Sequence, residues 1–188
     1  KPSRKSFAKN EGNIEKLSIK AATWRQAMKI LVISDTHGLN NNFLKVVKKV
    51  SPIDMLIHLG DFQGSEEFIE ELVSCRCEFV SGNNDFFNGY PKDKIIQIGK
   101  YTVLLTHGHR YGVYNGTDNI KEAALRNNVN IVMFGHTHVP MIDMTGDVWM
   151  INPGSLSLPR QSGRIPTYII MEIDPAGNAH FTLNYLKN

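Results

Sequence analysis

Five short stretches of this 188-residue chain carry side chains suited to holding metal ions. They are Asp35-Thr36-His37-Gly38, Gly60-Asp61, Gly82-Asn83-Asn84-Asp85, His107-Gly108-His109 and Gly135-His136-Thr137-His138. Carboxylates, imidazoles and an amide oxygen, with no thiolate among them, suit manganese, iron, zinc or nickel better than a soft metal. Where a strand runs into a loop, residues i and i+2 can face the same side. Asp35 and His37 can then grip one ion together, and His136 and His138 can reach the same small space. A lone carboxylate such as Asp61 has two oxygens and can bridge two ions. Two ions roughly 4 Å apart clamp a phosphoryl group and lower the pKa of a bridging water. That chemistry is phosphoester hydrolysis rather than redox.

The elements that must deliver these stretches are readable as periodic apolar runs. KILVIS is a buried strand, and NNFLKVVKKV a helix with Phe43, Val46, Val47 and Val50 inward. DMLIHL is a second strand. SEEFIEELVS is a helix with Ser65 as N-cap and acids in its first turn. CEFVS is a third strand, and IIQIG with YTVLLTH forms a hairpin. TDNIKEAALRNN is a helix capped by Thr117 or Asp118, and IVMFG another buried strand. PMIDMTGDVWMIN turns at Thr145-Gly146-Asp147, and PTYIIMEID pairs with AHFTLNYL around Pro175-Ala176-Gly177. The expected class is α/β, with mixed sheets stacked face to face and helices outside. Each metal-suited stretch lies at a strand end, where sites form in open α/β sheets.

Composition narrows the function further. Residues 1–27 hold seven Lys/Arg against two Asp/Glu, a balance of +5, in a chain whose total is +3; the remainder therefore carries −2. The basicity belongs to the leader, and a nearly neutral body argues against a nucleic-acid-binding face. The leader, residues 1–27, is read as an appended or dispensable extension, and residues 28–188 as the folded domain. Ile14, Leu17, Ala21, Trp24 and Met28 form an amphipathic helical stripe that could pack on the body or on a partner. No apolar run approaches the roughly 18 residues of a membrane helix, and no secretory signal is visible, so a cytoplasmic location is expected. Cys75 and Cys77, two residues apart, are expected as free thiols.

Taken in order, the five stretches resemble the calcineurin-like metallophosphoesterase superfamily, from Met28 to the C-terminus. Asn152-Pro153-Gly154-Ser155 followed by Pro159-Arg160 is similar to its small stand-alone branch, the YfcE-type phosphodiesterases. The resemblance implies a four-layer α/β/β/α sandwich with two stacked mixed β-sheets and a site for two divalent ions, manganese first, with iron, zinc or nickel as alternatives. It implies Asp35, His37, Asp61 and His138 on the first ion and Asp61, Asn83, His107 and His136 on the second, Asp61 being the bridge. It implies phosphodiester hydrolysis by a metal-activated hydroxide, on a small or nucleotide-like substrate, by a chain that can form homo-oligomers.

This sequence departs from the family at one place. Many members carry a histidine, taken to protonate the leaving group, where Asn84 stands here. An asparagine donates hydrogen bonds but no proton at neutral pH. The small branch often lacks that histidine too. His109 could act as the acid in its place, or could orient a neighbour. Asn84 and Arg160 are candidates for contacting the phosphoryl group, Arg160 bidentately unless it is simply a solvated loop residue. His58 reads as a sheet residue. Phe86, Phe87, Tyr90, Tyr111 and Tyr114 could stack a base or pack the loops. Two other functions remain open at this point: a scaffold of the same fold, as in the eukaryotic retromer complex, and a phosphomonoesterase.

Overall fold

The structure is a computed structural model and describes residues 27–86 and 89–187. The leader stripe from Ile14 to Trp24, and Phe87 of the aromatic set, lie outside the described residues. The chain opens with strand β1 (Met28–Ile33), helix α1 (Asn41–Val50), β2 (Met55–His58), helix α2 (Glu66–Leu72) and β3 (Arg76–Phe79). Then come β4 (Asp93–Ile98), β5 (Tyr101–Thr106), helix α3 (Asp118–Arg126) and β6 (Ile131–Met133). Strands β7 (Met141–Asp143), β8 (Trp149–Asn152), β9 (Thr167–Ile173) and β10 (Ala179–Tyr185) complete it.

The strands form two five-stranded mixed sheets, in the orders β10-β9-β1-β2-β3 and β4-β5-β6-β8-β7. Strands β1, β2 and β3 run parallel, as do β5, β6 and β8. The three hairpins expected from the sequence are antiparallel pairs: β4 with β5, β7 with β8, and β9 with β10.

The alternation of side chains across each strand sets the layers. Ile30 and Val32 of β1, Ile57 of β2, Val103 and Leu105 of β5 and Met133 of β6 share one fully buried core, so the two sheets face each other. Leu31 and Ile33 point to the opposite face, where they meet Phe43 and Val46 of α1 and Ile69 of α2. Leu104 and Val132 do the same on the second sheet, under Ile120 and Ala124 of α3. The result is helix, sheet, sheet, helix. Strands covered on both faces need continuous apolar runs, which is why KILVI and IVMF show no polar alternation.

One local expectation changes. Ser65 and Thr117 hold the N-cap positions, but neither side chain caps its helix. The Ser65 hydroxyl donates instead to the Phe62 carbonyl at 2.7 Å, tightening the loop that leads away from Asp61.

Candidate metal centre

All five stretches arrive at one rim, at the carboxyl ends of β1, β2, β3, β5 and β6. The first sheet supplies Asp35, His37, Asp61 and Asn83, and the second supplies His107, His136 and His138. Five of these residues adopt left-handed backbone, with φ of 55° at Asp35, 49° at His37, 56° at Asp61, 68° at His136 and 58° at His138. Side chains other than glycine and asparagine seldom occupy this region, and such strain clusters at functional sites. Here it turns each side chain back over the strand ends.

Backbone contacts lock the rim together. The Asp35 amide donates to the Gly60 carbonyl at 3.0 Å and the His37 amide to the Asp61 carbonyl at 2.8 Å. Two glycines allow an approach no side chain would permit. A Cβ at Gly82 would lie 2.1 Å from Asp61 Oδ1, and one at Gly135 would lie 2.0 Å from Ser34 Oγ. Asp85 faces inward beneath the site. Its Oδ2 accepts from the amides of Asp61 at 2.6 Å and Gly82 at 2.8 Å, and its Oδ1 from the Gln63 amide at 2.8 Å.

Two histidines have their tautomers set by carbonyls, which can only accept. His107 Nδ1 donates to Leu59 at 2.7 Å and His138 Nδ1 to Leu158 at 2.6 Å. Each therefore turns the lone pair of its Nε2 into the site. His138 Nε2 lies 3.1 Å from Asp35 Oδ1, while His37 Nε2 and His107 Nε2 each lie 3.9 Å from it. Asp61 Oδ2 stands between His37 Nε2 at 3.8 Å and His107 Nε2 at 3.5 Å. Asn83 Oδ1 and His136 Nδ1 approach His107 Nε2 at 3.1 and 3.2 Å. Asp35, His37 and His138 thus converge as one ligand-ready group, and Asp35, Asp61 and His107 as another.

This donor set fits divalent ions. Asp35 Oδ1 is buried and accepts no hydrogen bond, although imidazole nitrogens surround it. A buried carboxylate oxygen facing lone pairs calls for a cation. Electrostatics agree. Burial works to raise the Asp35 carboxyl, but the neighbouring His138 and His107 imidazoles hold it below its ordinary value. Burial likewise pushes His138 down, yet Asp35 leaves it raised overall, the mark of a position that attracts positive charge. Burial, aided by His107, lowers His136 to about 4, and burial lowers His37, so both rings are neutral donors at pH 7.

The remaining candidates fall around this centre. The Asn84 amide donates to Asp61 Oδ1 at 2.8 Å and its side chain to Asp61 Oδ2 at 2.7 Å. The His109 ring lies 5.4 Å from that of His107 and 6.0 Å from that of His136, with a buried Nδ1 lacking a hydrogen-bond partner. Burial lowers its pKa. Arg160 donates to the Tyr114 hydroxyl, which itself donates to the His136 carbonyl at 2.9 Å. The His58 ring is buried within the first sheet, 3.0 Å from the Thr36 hydroxyl and stacked on Phe79, beneath the donor cluster and not part of it. Phe86 is exposed, whereas Tyr90 packs against Phe62 and Phe79. Cys75 and Cys77 are free thiols. No helix among the described residues is long and apolar enough to cross a membrane.

Two supports were not assigned from sequence. Asp85 looks like one more turn former after Asn83-Asn84, and its three amide acceptances become visible only in space. The Tyr114 hydroxyl meets Arg160 across 46 positions of sequence, with no local signal.

Comparison with known proteins agrees with the geometry. The profile of the calcineurin-like phosphoesterase superfamily domain matches residues 28–176. A probable metallophosphoesterase of Bacillus subtilis is 31% identical over 148 residues, covering 78% of this chain and 85% of the relative. A phosphodiesterase of Methanocaldococcus jannaschii is 29% identical, covering 68% of this chain and 83% of the relative. Among solved structures, Vps29 of Entamoeba histolytica in complex with zinc superposes with a TM-score of 0.67 at 22% identity, covering 84% of this chain and 100% of that one. A likeness at that identity speaks for the fold.

Proposed function

The chain belongs to the calcineurin-like phosphoesterase superfamily, and from that premise we propose that it hydrolyses phosphodiesters at a two-metal centre. Asp35, His37, Asp61 and His138 would hold one divalent ion, and Asp61, Asn83, His107 and His136 the second. Bound there, the ions supply charge neutralisation at the phosphoryl group and a water acidic enough to attack it. The observation that carries this reading is the convergence of His37, His107 and His138 on Asp35 Oδ1 from two different sheets.

The chain's own residues do the rest. Asn84 steadies both oxygens of Asp61, so its role is to orient the bridging carboxylate. Arg160, held by Tyr114, is the residue assigned to contact a phosphoryl oxygen and fix the ester's orientation. His109 packs beside the His107 and His136 rings but belongs to neither ligand set, and it serves as proton donor to the leaving oxygen. Its lowered pKa makes it a stronger acid while leaving little of the protonated form at pH 7. Turnover should therefore favour esters with good leaving groups. A diester is preferred over a dianionic monoester because free cations at the centre are few: Arg110 is engaged with Asp93 and Lys92 with the Gly82 carbonyl, each at 3.2 Å.

The test is hydrolysis of bis-p-nitrophenyl phosphate by the manganese-loaded protein, beside EDTA and Asp61→Asn. Turnover should disappear in EDTA and fall by about a hundredfold or more in the variant. No turnover by protein shown to bind metal would overturn the enzyme reading and favour a binding module of the same fold. Faster hydrolysis of p-nitrophenyl phosphate than of the diester would instead favour a monoesterase.

A further inference from the structure

A groove leads away from the centre on the His138 side. Its inner part, a cleft of about 460 Å³, is lined by Ser157, Leu158, Pro159, Arg160 and Arg164. A second cleft of about 410 Å³ continues it, sharing Arg164 and adding Lys187 beside Ile165 and Pro166. The groove joins the metal centre through two backbone contacts: the Leu158 carbonyl accepts from His138 Nδ1, and the Arg160 amide donates to the His138 carbonyl at 3.0 Å.

The charge in this groove is unspent. Five arginines lie among the described residues. Three have a carboxylate partner: Arg76 with Glu78, Arg110 with Asp93 and Arg126 with Glu122. The two with no carboxylate partner among the described residues are Arg160 and Arg164, and both line the groove. No acidic residue lines either cleft. Arg164 is also placed with care. Its φ is 45°, its amide donates to the Gln161 carbonyl at 3.0 Å, and the Gln161 side chain clasps the Ile165 carbonyl at 2.6 Å. A turn held this way keeps an exposed guanidinium at one edge of both clefts. Arg164, reached from the centre past Leu158, Pro159 and Ile165, matches an organic arm ending in a dianion, since a planar guanidinium binds phosphate through paired donors.

We infer that the substrate is a diester whose second arm carries another phosphate, bound along this groove by Arg164, while Arg160 stays with the scissile phosphoryl group. The inference rests on the diesterase reading above and assigns its substrate class. It makes Arg164 a specificity residue, remote from the reacting phosphorus.

Two esters with one leaving group test it: thymidine 5′-(p-nitrophenyl phosphate), and the same compound bearing a 3′-phosphate. On the manganese-loaded full chain, the 3′-phosphate should raise kcat/KM by about tenfold or more, the scale of one charge-assisted hydrogen bond. In Arg164→Ala that ratio should fall towards one, and Arg164→Lys should restore part of it. Because the ratio is taken within one variant, a loss of folded protein does not mimic the result. Binding is read separately by calorimetry, with thymidine 3′,5′-bisphosphate against thymidine 5′-phosphate, and the same tenfold preference and the same loss are expected. Equal rates and affinities in the unmodified protein, or a preference undiminished in Arg164→Ala, would overturn the inference. Tighter bisphosphate binding without turnover of either ester would uphold the groove and count against the diesterase reading alone.

Discussion

The two sheets bring unlike donors to the same centre. The first contributes both carboxylates, the amide oxygen of Asn83 and a single imidazole, His37. The second contributes only imidazoles, His107, His136 and His138. The negative charge that draws cations in is therefore a property of the first sheet, and the second supplies neutral nitrogens that complete the coordination. The supports differ accordingly. The first rim is held from below by a buried carboxylate, Asp85, that accepts three amides. The second is held by a buried amide, Asn152, whose nitrogen donates to the Gly135 carbonyl and the Thr137 hydroxyl, each at 3.0 Å. A charged support under the acidic rim and a neutral one under the histidines suggest that the first sheet tolerates perturbation less well.

That contrast can be broken at three depths. The largest effect is expected where the sheets share one core. Leu105→Ala, at a fully buried site between them, should cost about 2–5 kcal/mol of stability, seen as a lower Tm. Metal affinity of the protein that remains folded should be nearly unchanged, because both rims lose support equally. A selective loss of metal would mean that the core tunes one rim. A smaller effect, confined to the first sheet, is expected from Asp85→Asn. It sets an amide NH2 against backbone N–H groups and should cost about 1–3 kcal/mol. It should also weaken metal binding by about ten- to a hundredfold in a chelator competition, by loosening the Asp61 loop. Unchanged affinity would dissolve the proposed asymmetry.

The smallest effect is one of pH, at His58 beneath the first rim. Burial lowers its pKa from the ordinary 6.5 to about 3. Above 6.5 the ring is neutral in the folded and unfolded chain, and stability is undiminished. As pH falls between 6.5 and about 3, only the unfolded chain takes up the proton. Stability should then drop by at most about 1.4 kcal/mol per pH unit from this group. Denaturant melts of His58→Gln should show a flatter acid limb than the unmodified protein, and parallel limbs would remove His58 as the cause.

Much of this was legible in the sequence, for a physical reason. Strands sheathed on both faces require unbroken apolar runs, and helix α1 requires Phe43, Val46, Val47 and Val50 on one stripe, and all four are buried. The five strand ends announced themselves because carboxylates and imidazoles beside glycine are unusual punctuation after a buried strand. What escaped was set by partners far away in sequence. Ser65 is a good cap by type, but its hydroxyl turns back to donate to the Phe62 carbonyl and its oxygen accepts from no helix amide. Asn84 read as a residue facing substrate, while in space both of its donors rest on Asp61. Arg164 carries no motif at all, and its interest comes only from the acids missing around it.

The contact between His37 and His138 spans 101 positions of sequence. During synthesis this means that the amino-terminal half emerges with its acids exposed and nothing to close over them. The Asp35, His37 and His138 group is complete only after β6 and the loop beyond it have been made. Loops of that length make assembly slow, because their closing entropy is spent before any contact repays it. A chain interrupted before His136 would keep the Asp35, Asp61 and His107 group but lack both imidazoles of the last stretch.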